Sequence, residues 1–163
     1  MGIALTSKNM LEKTIAKILL KKKLTLAVAE SCTGGLLAHA LTNIPGSSKY
    51  FLFGIVAYSN ESKIKLLGVS PQILKEHGAV SKEMALELAK NARHLGQANI
   101  GIGITGIAGP TGAMPLKPVG IVFIAISIGH NLYFKKFIFS GNRLKIKEAA
   151  KNAAFGLLKE CLT

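Results

Sequence analysis

The chain has 163 residues, 49% of them hydrophobic, and 21 lysines and arginines against 8 acidic residues give a formal net charge of +13. This length suits a single domain, predicted over 1–163, that buries about 70% of its unfolded surface. No apolar run approaches the roughly 18 residues of a membrane helix, and Glu12 and Lys13 interrupt any signal-peptide core. Two distant cysteines do not make a disulfide framework, so we expect a reduced, cytoplasmic protein.

The positive charge is compatible with two kinds of partner, nucleic acid and a small anionic substrate. The basic residues are spread along the chain, and the densest group, 21–23, ends a predicted helix, where cations are favoured. The chain has no arginine-rich arm, and no aromatic residues alternate with basic ones in the way that stacks bases. We therefore expect a lysine-coated surface without specific nucleic-acid binding.

Hydrophobic periodicity predicts helices that alternate with strands along most of the chain. The predicted helices cover 9–22, 34–43, 61–67, 70–78, 81–96 and about 143–161, and the predicted strands cover 24–29, 50–59, 98–105, 119–128 and 131–139. Only Gly129 and His130 separate the last two strands, which therefore form an antiparallel hairpin. The pattern predicts the α/β class: a three-layer α/β/α sandwich with a mostly parallel sheet and one antiparallel edge strand.

Small polar residues follow the first three predicted strands. They form the segments 30–35 (Glu30, Ser31, Cys32, Thr33, Gly34, Gly35), 58–63 and the glycine-rich 105–112. Parallel strands bring their carboxyl ends to one edge of a sheet, where α/β proteins bind ligands. In the alternative interpretation, Thr33 only caps a helix and the two glycines only form a tight turn.

The residue types in these segments favour nucleophilic chemistry. The four histidines show no metal-ligand spacing and none lies in or beside the three segments, so neither a metal site nor a Ser-His-Asp triad is predicted. Ser31 or Cys32 then remains as the nucleophile, with a lysine base supplied by Lys63 or Lys65. The residues alone leave both choices open.

Six short motifs occur in order along the chain. They are AESCTGG at 29–35, IPGSS at 44–48, YSNESK at 58–63, GAVS at 78–81, TGIAGPTG at 105–112 and KPVG at 117–120. Together they resemble the CinA carboxy-terminal domain, also known as the nicotinamide-nucleotide amidohydrolase (PncC) family, from about residue 8 to 161. The molybdopterin-binding-like domain of longer CinA proteins has no counterpart here, so the sequence resembles the stand-alone form.

The resemblance implies a mixed five-stranded sheet, no metal or organic cofactor, and deamidation of nicotinamide mononucleotide to nicotinic acid mononucleotide and ammonia. It implies Ser31 as the nucleophile, Lys63 as its base and Tyr58 as the assisting tyrosine. The sequence departs from the family in the glycine-rich segment. Thr105 stands where serine is frequent, and Ala113 and Met114 stand where Gly-Gly is frequent.

For such a reaction we expect the tetrahedral oxyanion to sit on backbone N–H groups at the start of the second helix. The expected donors are Cys32, Thr33, Gly34 and Gly35. The expected substrate-binding residues are Thr105, Gly106, Ile107, Ala108 and Gly109, which form a backbone cradle, and Arg143, which grips the phosphate. Glu30 is expected to order its loop.

The expected partners are a small-molecule nucleotide substrate and further copies of the chain, in a dimer or larger homo-oligomer, with no membrane. A catalytically silent nucleotide-sensing or protein-interaction module that keeps the same pocket is the alternative function. A nucleic-acid binder ranks third.

Overall fold

The computed structural model describes residues 10–163 and contains the predicted succession of elements. The helices are α1 (Met10–Lys22), α2 (Leu36–Thr42), α3 (Asn60–Leu67), α4 (Pro71–His77), α5 (Lys82–Leu95) and α6 (Arg143–Leu162). The strands are β1 (Leu26–Glu30), β2 (Phe51–Val56), β3 (Ile100–Gly106), β4 (Ile121–Ile128) and β5 (Asn131–Ile138). Asn9, where the first helix was predicted to begin, lies outside the described residues.

Serine caps determine where three of the helices begin. Ser59, Ser70 and Ser81 each accept a hydrogen bond from a backbone N–H in the first turn of α3, α4 and α5. The predicted strand over 50–59 is shorter in the structure, because β2 ends at Val56 and Ser59 already caps α3. Lys63 consequently lies on a helix that starts close to the end of β2.

The five strands form one mixed sheet in the order β2-β1-β3-β4-β5. The strand β1 pairs in parallel with β2 and β3, whereas β4 pairs antiparallel with β3 and β5. The reversed strand was predicted at the edge, but it lies one position inside the edge. The tight hairpin places β5 on the outer side of β4, so that four of the five strands point the same way.

Helices cover both faces of the sheet, which confirms the three-layer arrangement. Buried side chains of α1, α2 and α6 form the core on one face, and those of α3, α4 and α5 pack on the other. The helix α5 lies directly against β3: a Cβ added at Gly101 would lie 1.9 Å from the carbonyl oxygen of Ala89. Glycine is therefore required where α5 crosses β3. Within residues 10–163, no helix is both long and apolar enough to cross a bilayer.

The strand directions assemble the three polar segments at one edge of the sheet. Because β1, β2 and β3 are parallel, their carboxyl ends at Glu30, Val56 and Gly106 meet there. The strand β5 ends at the same edge, so Arg143, the first residue of α6, also lies near it. Residues distant in sequence thus surround one site.

Candidate active site

Ser31 and Lys63 are in direct contact at this edge. The Nζ atom of Lys63 lies 3.2 Å from Oγ of Ser31, 2.8 Å from the carbonyl oxygen of Ala57 and 3.1 Å from that of Tyr58. The Lys63 side chain is 1% exposed, and Ser31 is 9% exposed. Ser31 is itself anchored to β3, since its N–H donates to the carbonyl oxygen of Ile104. The contact joins the loop after β1 to α3.

Three oxygen atoms surround the Lys63 amine, and each can accept one of the three N–H groups of its ammonium form. After loss of a proton, the two carbonyl oxygens can still accept the remaining N–H groups, and the lone pair is then available to the hydroxyl of Ser31. Burial lowers the pKa of Lys63 from its ordinary value of 10.5. Lys65, the other candidate base, is exposed on α3. Lys63 is therefore the lysine positioned to accept the proton of Ser31.

Cys32, the other candidate nucleophile, is in an environment that keeps it unreactive. Its side chain is 6% exposed and packs in the hydrophobic core on the α6 side of the sheet. Burial, together with the charge of Glu30, raises the pKa of the thiol to about 12. Because the thiolate is the reactive form of cysteine, this raised pKa disfavours Cys32 as a nucleophile at neutral pH. Of the two candidates, Ser31 is the one in contact with a lysine amine whose pKa is lowered.

Glu30 orders the loop after β1 through its carboxylate. The side chain is 1% exposed, and its oxygens accept hydrogen bonds from the backbone N–H groups of Gly35, Leu37 and Ala38 at 2.8–3.1 Å. The carboxylate thus occupies the N-terminus of α2, where a negative charge is stabilised by the free N–H groups and the helix dipole. That terminus is not free to bind an external anion.

Two of the four predicted oxyanion donors are consequently wrong. The N–H of Gly34 donates to the carbonyl oxygen of Ser31, and that of Gly35 donates to Glu30. Within the described chain, the N–H of Thr33 has no acceptor and that of Cys32 donates to no backbone carbonyl, and both groups follow Ser31 directly. The idea that Thr33 caps the helix is also wrong, because α2 begins after Gly35 and its cap residue makes no side-chain hydrogen bond.

Tyr58 contacts the lysine through its backbone. Its carbonyl oxygen accepts from Lys63, whereas its hydroxyl accepts a 2.6 Å hydrogen bond from Nη2 of Arg143. Nη1 of Arg143 donates to the carbonyl oxygen of Gly109 at 2.7 Å. The side chain of Tyr58 is 57% exposed. Assistance by Tyr58 stays a prediction: its hydroxyl is directed to Arg143, and only its backbone carbonyl contacts the lysine.

The glycine-rich segment contributes fewer substrate contacts than predicted. The hydroxyl of Thr105 is 2.5 Å from the carbonyl oxygen of Ala79, and the N–H of Ile107 donates to Ile121, so neither is available. The N–H groups of Ala108 and Gly109 have no acceptor among the described residues. The predicted cradle is thus reduced to the part of the loop that follows Ile107.

These residues surround a cavity of about 240 Å³. Its lining includes Ser31, Cys32, Tyr58, Lys63, Arg143 and the stretch from Thr105 to Gly109. Three more lining residues, Asn60, Thr111 and Gly112, belong to the predicted polar segments but not to the predicted site, and Ala79 and Val80 lie outside those segments. No acidic residue of the described chain lines the cavity, so its electrostatic potential favours an anionic ligand. The GAVS motif at 78–81 contains Ala79 and Val80, and was the signal that could have identified them.

The CinA C-terminal domain model matches residues 8–162. The chain belongs to this CinA family. It is 51% identical over 153 residues to a putative competence-damage inducible protein of Moorella thermoacetica, an alignment that covers 94% of this chain and 37% of that relative. The chain thus spans little more than a third of the length of the relatives it matches.

Solved structures of CinA proteins share the fold. A competence/damage inducible protein from Agrobacterium tumefaciens superposes with a TM-score of 0.93 at 35% identity, and the match covers 100% of both chains. A CinA superfamily protein from Escherichia coli superposes with a TM-score of 0.92 at 33% identity, covering 99% of this chain and 94% of that one. The mixed five-stranded sheet is therefore the family fold.

Proposed function

We propose that this CinA domain is a serine amidohydrolase that converts nicotinamide mononucleotide to nicotinic acid mononucleotide and ammonia. The observation that carries the proposal is the buried contact of 3.2 Å between Nζ of Lys63 and Oγ of Ser31. A nucleophile next to a base whose pKa is lowered is the arrangement that covalent amide hydrolysis requires. Its position at the mouth of a cavity gives a substrate access to both groups.

Acylation begins with proton transfer from Ser31 to the neutral amine of Lys63. Oγ of Ser31 then forms a bond to the carboxamide carbon, and the carbonyl oxygen becomes an oxyanion. The N–H groups of Cys32 and Thr33, held in place by the Glu30 network, are the donors for this oxyanion. The C–N bond breaks as the ammonium form of Lys63 returns the proton to the leaving nitrogen, which departs as ammonia.

Deacylation repeats these steps with water as the nucleophile. Lys63, neutral again, removes a proton from a water molecule that attacks the acyl carbon. The ester bond to Ser31 breaks, the proton moves to Oγ, and the carboxylic acid product leaves. The same pair of residues serves both halves of the reaction, so no further acid or base is needed.

The mononucleotide is the substrate that the charge of the cavity favours. Its phosphate is anionic, the described cavity lining lacks acidic side chains, and the N–H groups of Ala108 and Gly109 are available as donors. The resemblance of the six motifs to the nicotinamide-nucleotide amidohydrolases supports the same substrate. Cytoplasmic location is part of this proposal, since the substrate belongs to intracellular pyridine-nucleotide metabolism.

Incubation of the protein with nicotinamide mononucleotide, with ammonia and nicotinic acid mononucleotide measured, tests the proposal. We expect turnover by the wild-type protein and by Ser140→Ala, in which the lost serine is exposed, and none by Ser31→Ala. Tight binding of the mononucleotide without release of ammonia would instead favour the silent nucleotide-sensing module.

A further inference from the structure

Arg143 connects two loops across the mouth of the cavity. Its Nη1 atom donates to the carbonyl oxygen of Gly109 in the loop after β3, and its Nη2 atom donates to the hydroxyl of Tyr58 in the loop after β2. Arg143 itself begins α6, which follows β5. One guanidinium group therefore links three segments that are far apart in sequence.

The side chain of Tyr58 would be poorly held without this link. More than half of the Tyr58 side chain is exposed, and its hydroxyl has no other partner within residues 10–163. An exposed aromatic side chain without a partner samples several rotamers. Gly109 is buried in the loop after β3 and has a φ of +74°. Arg143 thus connects the exposed ring of Tyr58 to a packed part of the opposite loop.

The same two hydrogen bonds compete with the predicted role in binding phosphate. A bidentate grip on phosphate uses parallel N–H groups of the guanidinium. In this structure both terminal nitrogens of Arg143 already donate to protein acceptors. These bonds use two of the five N–H groups of the guanidinium, so a substrate phosphate could approach only from the sides that Tyr58 and Gly109 leave open.

We propose that Arg143 is a positioning residue that ties Tyr58 to Gly109 and thereby fixes the width of the cavity mouth. This inference rests on the proposed amidase function and assigns Arg143 a role other than that of phosphate ligand. The Tyr58 ring becomes a wall of the substrate site, and its hydroxyl serves the tie. Since the amide-bearing ring of a nucleotide and that of a nucleoside enter by the same mouth, the tie affects both, including the nucleoside that has no phosphate.

The kinetic test compares nicotinamide mononucleotide with nicotinamide riboside, which lacks the phosphate. Arg143→Ala and Arg143→Lys are expected to lower kcat/KM roughly tenfold or more for the riboside, and by at least as much for the mononucleotide, whose phosphate uses the loop at Gly109. Tyr58→Phe removes the hydrogen bond between Arg143 and the Tyr58 hydroxyl, so it should cause part of the loss in kcat/KM. The double variant Arg143→Ala/Tyr58→Phe should be no worse than Arg143→Ala, because both changes remove the same bond.

Backbone hydrogen exchange in 106–112 tests the tie without any turnover. We expect faster exchange in Arg143→Ala and no change in Lys145→Ala, a control that removes an exposed cation from the first turn of α6. Unchanged exchange in Arg143→Ala overturns the proposal, as does a kinetic loss confined to the mononucleotide. If the wild-type protein hydrolyses neither amide, the proposed function is contradicted but the positioning role of Arg143 is not. The hydrogen-exchange experiment then tests that role by itself.

Discussion

The buried amine of Lys63 combines a functional advantage with a thermodynamic cost. A lysine in water stays protonated at neutral pH and has no lone pair to accept a proton. Burial lowers the pKa of Lys63, which raises the fraction of neutral amine near neutral pH. The carbonyl oxygens of Ala57 and Tyr58 hold that amine against Ser31. The proposed base is therefore prepared by the folded structure.

We expect activity to require the neutral form of Lys63. Lys63→Met and Lys63→Arg should both be inactive, the latter because arginine stays protonated, whereas Lys65→Met should keep most of the activity. In the wild-type protein, kcat/KM should increase with pH until Lys63 is fully neutral. Initial rates of ammonia release between pH 5 and 10 would measure this. An active Lys63→Arg variant would contradict the Ser31–Lys63 mechanism.

The lowered pKa of Lys63 also predicts how stability depends on pH. Between its lowered pKa in the folded state and the ordinary value of 10.5, the unfolded chain binds one proton more than the folded chain at this residue. The free energy of unfolding therefore rises with pH across that window. Urea unfolding at several pH values should show a steeper rise for the wild-type protein than for Lys63→Met. Equal slopes would show that Lys63 is not perturbed.

Ser31 and Cys32 are adjacent, and their environments separate their roles. We expect Ser31→Ala to lower kcat by at least about a thousandfold with little change in stability, because it removes one hydroxyl. Cys32→Ala should retain far more activity than Ser31→Ala and lose some stability, because it removes a buried side chain from the core. Ammonia assays and thermal unfolding of both variants measure the two effects. The reverse order of activities would make the thiol the nucleophile.

At the level of elements, α5 packs closely on β3 and holds in place the strand whose carboxyl end borders the site. Gly101→Ala would place a methyl group 1.9 Å from the carbonyl oxygen of Ala89, so we expect a loss of stability of about 1–3 kcal/mol or more. Gly156→Ala is the matched control: nothing lies within 4 Å of its added Cβ, and alanine favours a helix interior by about 0.5–1 kcal/mol. Urea midpoints should thus shift in opposite directions.

The same level shows what the sequence could predict and what it could not. The hydrophobic pattern placed Ser31 and Lys63 in polar segments next to strand ends, but the choice of Ser31 over Cys32 and of Lys63 over Lys65 came from the resemblance of the motifs. The hydrogen bond between Arg143 and Tyr58 joins residues 85 positions apart, so no local sequence pattern could predict it. The oxyanion donors were half wrong because the carboxylate of Glu30 turns back onto α2 and takes the N–H of Gly35.

At the level of the whole molecule, β5 is an edge strand that no other strand of residues 10–163 pairs with on its outer side. Apolar side chains of this strand, among them Leu132, Phe134 and Ile138, are exposed, but Lys135 and Lys136 stand between them. Lysines on an edge strand oppose pairing with another strand. The expected homo-oligomer therefore stays a prediction, and if it forms, we expect its interface to lie away from the β5 edge.

The net charge of +13 predicts only weak contact with nucleic acid. The basic residues are distributed over the whole chain, and α5 and α6 carry both lysines and glutamates. Binding by charge alone is expected at about 10⁻⁴–10⁻⁶ M at physiological salt, and it should weaken steeply as salt releases the bound counterions. Fluorescence anisotropy with two unrelated duplexes, at low and physiological salt, measures this. Submicromolar binding that prefers one sequence at physiological salt would make nucleic acid, rather than an anionic nucleotide, the partner that the charge serves.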